Sequence, residues 1–97
     1  MELFIFARFQ ALRESEVSLA ALLRETVIRT RSEVGCLAIA AYRSIRDPRL
    51  FFIHSRWINE AAFQAHADLP ATARFIAQAE ALSEHPPDVT RTLALLE

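Results

Sequence analysis

Along the chain, short apolar segments that suit β-strands alternate with longer segments in which apolar residues recur with the period of an α-helix. Residues 3–9 (LFIFARF) are rich in aromatic residues around a β-branched isoleucine, which favours a strand. Residues 36–45 and 50–58 have the same character on either side of a turn that contains Pro48, and they predict a β-hairpin. Residues 88–97 predict a last strand.

Three other segments have helical patterns. Between residues 14 and 33, apolar-face positions recur at steps of three and four, namely Leu19, Leu22, Leu23, Val27 and Thr30. Gly35 follows that helix, at the position where the backbone often takes the left-handed conformation, which glycine adopts at the lowest energetic cost. Asn59 is placed to cap a short helix that runs through Leu69, and Pro70 can open the next one, which the sequence HPP ends.

The order of these elements is strand, helix, strand, strand, helix pair, strand. This is the split βαβ pattern of the ferredoxin-like fold. We therefore predict one α+β domain over residues 1–97, with a four-stranded antiparallel sheet and helices on one face. The composition is 53% hydrophobic, which is high for a domain of this size and indicates that some apolar surface meets a partner.

Both faces of the predicted sheet are apolar. In the first strand, one face holds Leu3, Ile5, Ala7 and Phe9, and the other holds Phe4, Phe6 and Arg8. In the third strand, one face holds Phe51, Ile53 and Trp57, and the other holds Leu50, Phe52, His54 and Arg56. Since a soluble monomer rarely exposes such a patch, we predict a homodimer packed sheet to sheet, with Arg8, Tyr42, His54 and Arg56 at its interface. A monomer with a different strand assignment is the alternative.

Charge and cysteine content exclude several functional classes. The net charge is −1 and all eleven basic residues are arginines scattered along the chain, so nothing indicates nucleic-acid binding. The lone Cys36 excludes an internal disulfide and a cysteine-based zinc cluster, and it suits a reducing compartment. The first residues lack a basic leader, and Arg8 interrupts a run too short to span a membrane. We expect a cytoplasmic protein without membrane or nucleic-acid partners.

The candidate chemistry lies in RWINEAAFQAHADLP, residues 56–70. Trp57 is expected on the helix-covered face, either as a core anchor or as a pocket wall against an aromatic ligand. His66 shares a helix face with Phe63 and is either a structural group or an acid/base group for a phenol or enol. Asn59 is a helix cap or, in the alternative, a ligand contact. One histidine alone makes no metal site, and a chain with one glycine has no Gly-rich phosphate loop.

Two segments carry a resemblance to a known family. SEVGCLAIAAYRSIRDP is similar to the family's acidic residue, spacer, Gly-Cys and strand with a late tyrosine. FFIHSRWINEAAFQAHADLP is similar to its strand ending in tryptophan, polar helix start, alanine pair and histidine before a proline. Over nearly its full length, the chain resembles the antibiotic biosynthesis monooxygenase (ABM) family of dimeric α+β barrels.

The resemblance implies a cofactor-free, usually dimeric fold with a pocket between each sheet and its helices. Some members are like quinol or polyketide-aromatic monooxygenases, and others resemble haem degraders or isomerase-like enzymes acting on small sugar phosphates. This chain departs from the family pattern at Ser55, where many members carry glutamate, at Ala71, where many carry histidine, and at Ile39, where many carry an aromatic residue. Ala7 replaces the asparagine of the haem-degrading branch, which disfavours haem chemistry.

Two functions remain. The first is a cofactor-independent monooxygenase-like dimer without a metal, acting on a small aromatic or quinol-type substrate, with His66 as the base. Its substrate pocket would be lined by Ile53, Trp57, Asn59, Phe63 and Phe75. Arg43 or Arg56 could stabilise the anion, although alternation directs Arg56 to the other face. The second is a non-catalytic small-molecule-binding or structural dimer of the same fold, which the losses at Ile39, Ser55 and Ala71 favour.

Overall fold

The computed structural model describes all 97 residues and contains four strands and three helices in the predicted order. These are β1 (Leu3–Gln10), α1 (Glu16–Thr30), β2 (Cys36–Arg43), β3 (Leu50–Trp57), α2 (Glu60–Ala67), α3 (Pro70–Ala81) and β4 (Asp88–Thr92). The strands form one antiparallel sheet in the order β2-β3-β1-β4. The predicted ferredoxin-like α+β fold is confirmed.

Local signals set most of the element boundaries. The side chain of Asn59 accepts a hydrogen bond from the Ala62 N–H at 2.8 Å and thereby caps α2. Pro70 is the first residue of α3, where its missing N–H is not needed. Gly35 has a φ of +86°, as its position after α1 predicted. None of the three helices combines the length and the hydropathy needed to cross a membrane.

The helices cover one face of the sheet, and the alternation read from the sequence is confirmed on that face. The buried residues of β1 and β3 are Leu3, Ile5, Ala7, Phe9, Phe51, Ile53, Ser55 and Trp57. The helices bury Leu19, Leu23, Val27, Phe63, Phe75 and Ala79 against them. A β-bulge between Cys36 and Ala38 shifts the register of β2, so that Ile39 pairs with Ser55 and also faces the helices.

The opposite face of the sheet is open in the single chain, and we call it the open sheet face. Phe6, Phe52 and Tyr42 are 52%, 37% and 55% exposed there. The His54 ring packs near two phenylalanines of β1, with its centroid 4.8 Å from that of Phe6 and 6.4 Å from that of Phe4. The aromatic residues predicted to face away from the helices therefore do so.

The last strand is shorter than predicted, because β4 ends at Thr92 and residues 93–97 form no strand. The reason is the length of its neighbour. Thr92 pairs with Phe4, close to the start of β1, so the segment after Thr92 runs past the end of its only partner strand. Leu95 and Leu96 are consequently exposed.

Candidate functional site

A cavity of about 300 Å³ lies between the sheet and the helices. Ten of its sixteen lining residues are hydrophobic, and this mixture of an apolar lining with a few polar groups is typical of small-molecule sites. The volume is at the lower end of the usual range of about 300–1,000 Å³ for such sites. The cavity therefore suits a ligand of one or two rings.

The structure brings four of the six predicted site residues together. The cavity is lined by Ile53, Phe63, His66 and Phe75. Trp57 and Asn59 lie outside this lining. Trp57 is completely buried, and Asn59 borders a separate surface depression next to Met1 and Glu60, with its side chain engaged in the α2 cap.

Trp57 supports the cavity wall from behind. Its indole N–H donates a hydrogen bond to Oγ of Ser55 at 3.0 Å, which satisfies its one polar group. Its ring packs edge-on against Phe63 at 5.6 Å and lies 4.9 Å from the imidazole of His66. Ser55 is thus the hydrogen-bond partner that allows the tryptophan to be buried.

Gly35 determines how closely the loop after α1 approaches α2. A Cβ at this position would lie 2.6 Å from the Cβ of Ala62, so only glycine fits. The Gly35 carbonyl also accepts a hydrogen bond from the Ile58 N–H at 3.0 Å. His66 lies one helical turn after Ala62, and Glu33 lies two residues before Gly35. The close approach therefore brings Glu33 to His66.

Glu33 and His66 form a largely buried pair. Nδ1 of His66 lies 2.7 Å from Oε1 of Glu33, and the two side chains are 15% and 19% exposed. Because an ionised carboxylate only accepts hydrogen bonds, Nδ1 carries the proton, and Nε2 is the nitrogen available to a ligand. The His66 carbonyl accepts a hydrogen bond from the Thr72 hydroxyl at 2.6 Å, which joins the end of α2 to α3.

Arg91 of β4 is the only arginine in the lining. Its guanidinium donates to Oε2 of Glu60 at 3.0 Å and to Oε1 of Gln64 at 2.9 Å, and it lies 4.9 Å from the centroid of the Phe63 ring. These contacts fix its orientation. Arg56 instead pairs with Glu2 at 3.3 Å on the open sheet face, and Arg43 is exposed, so neither reaches the cavity.

Two threonines of α1 belong to the lining of the same cavity. Thr26 and Thr30 both line it and are 4% and 0% exposed. Neither Oγ1 finds a hydrogen-bond partner within the protein. The sequence pattern assigned Thr30 to the apolar face of α1 and passed over Thr26. The sequence did contain a signal for this pair, namely two hydroxyl-bearing residues four positions apart on that face of the helix.

Glu33 was also missed as a site residue, although it is the acidic residue of the first family-like segment. Its partner His66 is 33 positions away, and no local pattern links the two. Cys36 lies nearby and is partly buried; burial and then the Glu33 charge raise the pKa of its thiol, so it is a poor nucleophile. No group of three or more His, Cys, Asp or Glu residues is placed to hold a metal ion.

Comparisons with known proteins agree with this architecture. Rv0793 from Mycobacterium tuberculosis is 27% identical, with a TM-score of 0.92 over 100% of this chain and 98% of that one. PA3566 from Pseudomonas aeruginosa is 26% identical, with a TM-score of 0.87 over 98% and 95%. A variant of SnoaB, a cofactor-independent oxygenase from Streptomyces nogalater, is 14% identical and shares the fold, with a TM-score of 0.88 over 99% and 95%.

No curated protein matches the sequence. The sequence profile of the family described as antibiotic biosynthesis monooxygenase matches residues 3–78, which is most of the chain and includes β1 to α2 and most of α3. All the cavity residues named above except Arg91 lie within that range. The chain therefore belongs to the antibiotic biosynthesis monooxygenase family.

Proposed function

We propose that this chain is a cofactor-independent oxygenase that binds a small aromatic or quinol-type molecule in its cavity and uses His66 as the base. The observation that carries the proposal is the His66–Glu33 pair at the edge of a mostly apolar cavity of about 300 Å³. A base held by a carboxylate and facing an apolar cavity is the arrangement that proton removal from a phenol requires. Membership of the family and the fold shared with SnoaB support the same reaction class.

In this mechanism, the Glu33 carboxylate accepts a hydrogen bond from the Nδ1–H of His66 and fixes the ring, so that Nε2 removes a proton from the bound phenol and the imidazole becomes protonated. Proton removal makes the aromatic ring electron-rich enough to pass an electron to dioxygen without a metal or a flavin. For a phenol converted to a quinone, the substrate loses two hydrogen atoms and gains one oxygen atom, and the second oxygen atom leaves as water. Dioxygen is thus the only oxidant.

The lining would help the anion to form. A mostly apolar lining lowers the local dielectric constant, which strengthens each electrostatic contact with the anion. Arg91 supplies a positive charge, and its contacts with Glu60 and Gln64 hold it in one orientation. In the proposal, Arg91 takes the role of anion stabiliser that the sequence suggested for Arg43 or Arg56.

Oxygen uptake with a panel of hydroquinones and polycyclic phenols tests the proposal. The wild-type protein should consume oxygen with at least one compound, and His66→Ala should lower the rate by a factor of about 10²–10⁴. His85→Ala is the matched control, because His85 is exposed on a loop and contacts only the neighbouring Pro86 carbonyl. Uptake that is absent in the wild type, or equal in the two variants, would contradict the proposal. Binding without uptake would favour the non-catalytic alternative.

A homodimer is the second part of the proposal. The open sheet face supports it, because Phe6, Tyr42 and Phe52 together form an exposed aromatic patch that a partner subunit would cover. Light scattering at micromolar concentration should give twice the 11.0 kDa mass of one chain. Phe6→Glu should produce a monomer, whereas Ile45→Glu, at a fully exposed turn position, should not. A monomeric wild type would refute this part.

A further inference from the structure

We propose that Thr26 and Thr30 form a second polar contact of the cavity, one that binds an uncharged oxygen atom of the ligand, either a carbonyl or a hydroxyl. This oxygen is distinct from the one that His66 deprotonates, so the ligand carries at least two oxygen functions. The inference rests on the cavity of the proposed function being a ligand site. It does not depend on turnover.

The burial of the two hydroxyls is the first step. Thr26 and Thr30 are 4% and 0% exposed, and neither Oγ1 has a partner within the protein. A threonine inside a helix usually satisfies its hydroxyl by donating to the carbonyl three or four residues earlier. Neither residue does so here. A buried polar group without a partner destabilises a protein. The stability of the fold therefore does not explain why two such hydroxyls occur here, and a role in binding would explain it.

Their position supplies the explanation. Residues four apart lie next to each other on one helix face, and both threonines line the cavity that His66 also lines. Ser83 has the third buried hydroxyl without a partner, and it lies outside the cavity. Of the three hydroxyls without a partner, those of Thr26 and Thr30 therefore belong to residues of the cavity lining, and in the proposal a bound ligand becomes their partner.

The chemistry of the lining determines which ligand group fits. A hydroxyl both donates and accepts, so it matches a carbonyl, a phenol or an alcohol. Threonine carries no charge. The cavity residues that β1 and β2 contribute are all apolar, namely Ile5, Ala7, Phe9 and Ile39. A phosphate or carboxylate at this wall would lose its hydration without gaining a counter-charge. A neutral dioxygenated aromatic ring is the ligand class that satisfies both His66 and the threonines.

Anaerobic binding of naphthol and of a set of dihydroxynaphthalene isomers tests the inference, because exclusion of oxygen separates binding from reaction. In the wild type, at least one dihydroxy isomer should bind more tightly than naphthol. Thr26→Val and Thr30→Val keep the side-chain shape and remove the hydroxyl, and each should weaken that isomer by roughly three- to tenfold while leaving naphthol unchanged. Thr30→Ser keeps a hydroxyl and should keep the added affinity.

Ser83→Ala is the matched control, since it removes a buried hydroxyl without a partner from outside the cavity and should leave every affinity unchanged. The valine variants should also melt a few degrees higher than the wild type when no ligand is bound, which shows that they fold. Equal affinity of wild type and both valine variants for all isomers, or no gain from a second hydroxyl in the wild type, would overturn the inference. Loss of oxygen uptake with this affinity pattern intact would refute only the proposed oxygenase.

Discussion

The layer between the sheet and the helices has two regions that differ in how their polar groups are satisfied. Around Trp57 the polar side chains pair within the protein: its indole N–H bonds to Ser55, and the Asn59 side chain caps α2. Along α1, the hydroxyls of Thr26 and Thr30 have no partner within the protein. The comparison separates a structural region, in which the protein satisfies its own polar groups, from a ligand region, whose hydroxyls a bound ligand satisfies in the proposal above.

His66 belongs to both regions. Its ring packs against Trp57 and Phe63 and its Nδ1 bonds to Glu33, so the ring is part of the structural region. His66 also lines the cavity. Variants in the structural region should therefore change stability first, whereas variants in the ligand region should change binding with little cost to stability.

Trp57→Ala should show the largest effect, because Trp57 is completely buried between β3 and α2. Removing a buried tryptophan side chain costs about 3–5 kcal/mol in the free energy of unfolding, which urea denaturation measures. Trp57→Phe retains most of the packing and should cost less. A loss of under about 1 kcal/mol in the alanine variant would mean that the region around Trp57 does not hold the fold together.

Gly35→Ala should be next, at about 2–3 kcal/mol, because it combines a positive φ with a Cβ placed 2.6 Å from that of Ala62. The double variant Gly35→Ala with Ala62→Gly removes the clash with Ala62 and keeps the backbone strain, so Gly35→Ala should cost less in the Ala62→Gly background than in the wild type. Unfolding curves of Gly35→Ala, Ala62→Gly and the double variant separate the two causes. If Gly35→Ala is as stable as the wild type, the close approach that brings Glu33 to His66 is wrong.

Ser55→Ala should cost about 1–2 kcal/mol, because it leaves the buried indole N–H of Trp57 without an acceptor. Ser55→Thr keeps the hydroxyl and serves as the control for loss of the hydrogen bond. Thermal unfolding monitored by tryptophan fluorescence reports on this site directly, since the chain has one tryptophan. A Ser55→Ala protein of wild-type stability would contradict the contrast between the structural region and the ligand region.

Glu33→Gln should have the smallest effect on stability, below about 1 kcal/mol, because the glutamine carbonyl still accepts a hydrogen bond from Nδ1 of His66. Oxygen uptake should nevertheless fall about tenfold, since a neutral partner stabilises the protonated imidazole less than a carboxylate does. Nitrogen NMR of the His66 ring should still report a proton on Nδ1. Glu84→Gln, which alters an exposed pair with Arg49, is the control and should leave uptake unchanged.

The fold was predictable from the sequence because its determinants are local. Strand alternation in β1 and β3, the Asn59 cap and the first turn at Pro70 each depend on a few neighbouring residues, and all were correct. The end of β4 was not, because it depends on where β1 begins, at the other end of the chain.

The site was predictable only in part. His66, Phe63, Phe75 and Ile53 reach the cavity because the faces of single elements fix their directions. The Glu33 contact depends on a loop packing against a helix 33 positions away, and the cavity itself is volume that no side chain fills. Neither the Glu33 contact nor the unfilled volume can be predicted from a local sequence pattern. Trp57 lies outside the cavity lining, where its ring packs against the side chains of Phe63 and His66, which do line the cavity.

Anaerobic absorbance spectroscopy of bound naphthol tests most directly whether the cavity removes a proton from a phenol through His66. Neutral naphthol and its anion absorb at different wavelengths, and without oxygen no later step can follow. Wild-type protein at neutral pH should produce the band of the anion, His85→Ala should produce it equally, and His66→Ala should bind naphthol in its neutral form. Naphthol that stays neutral when bound to the wild type would contradict the account.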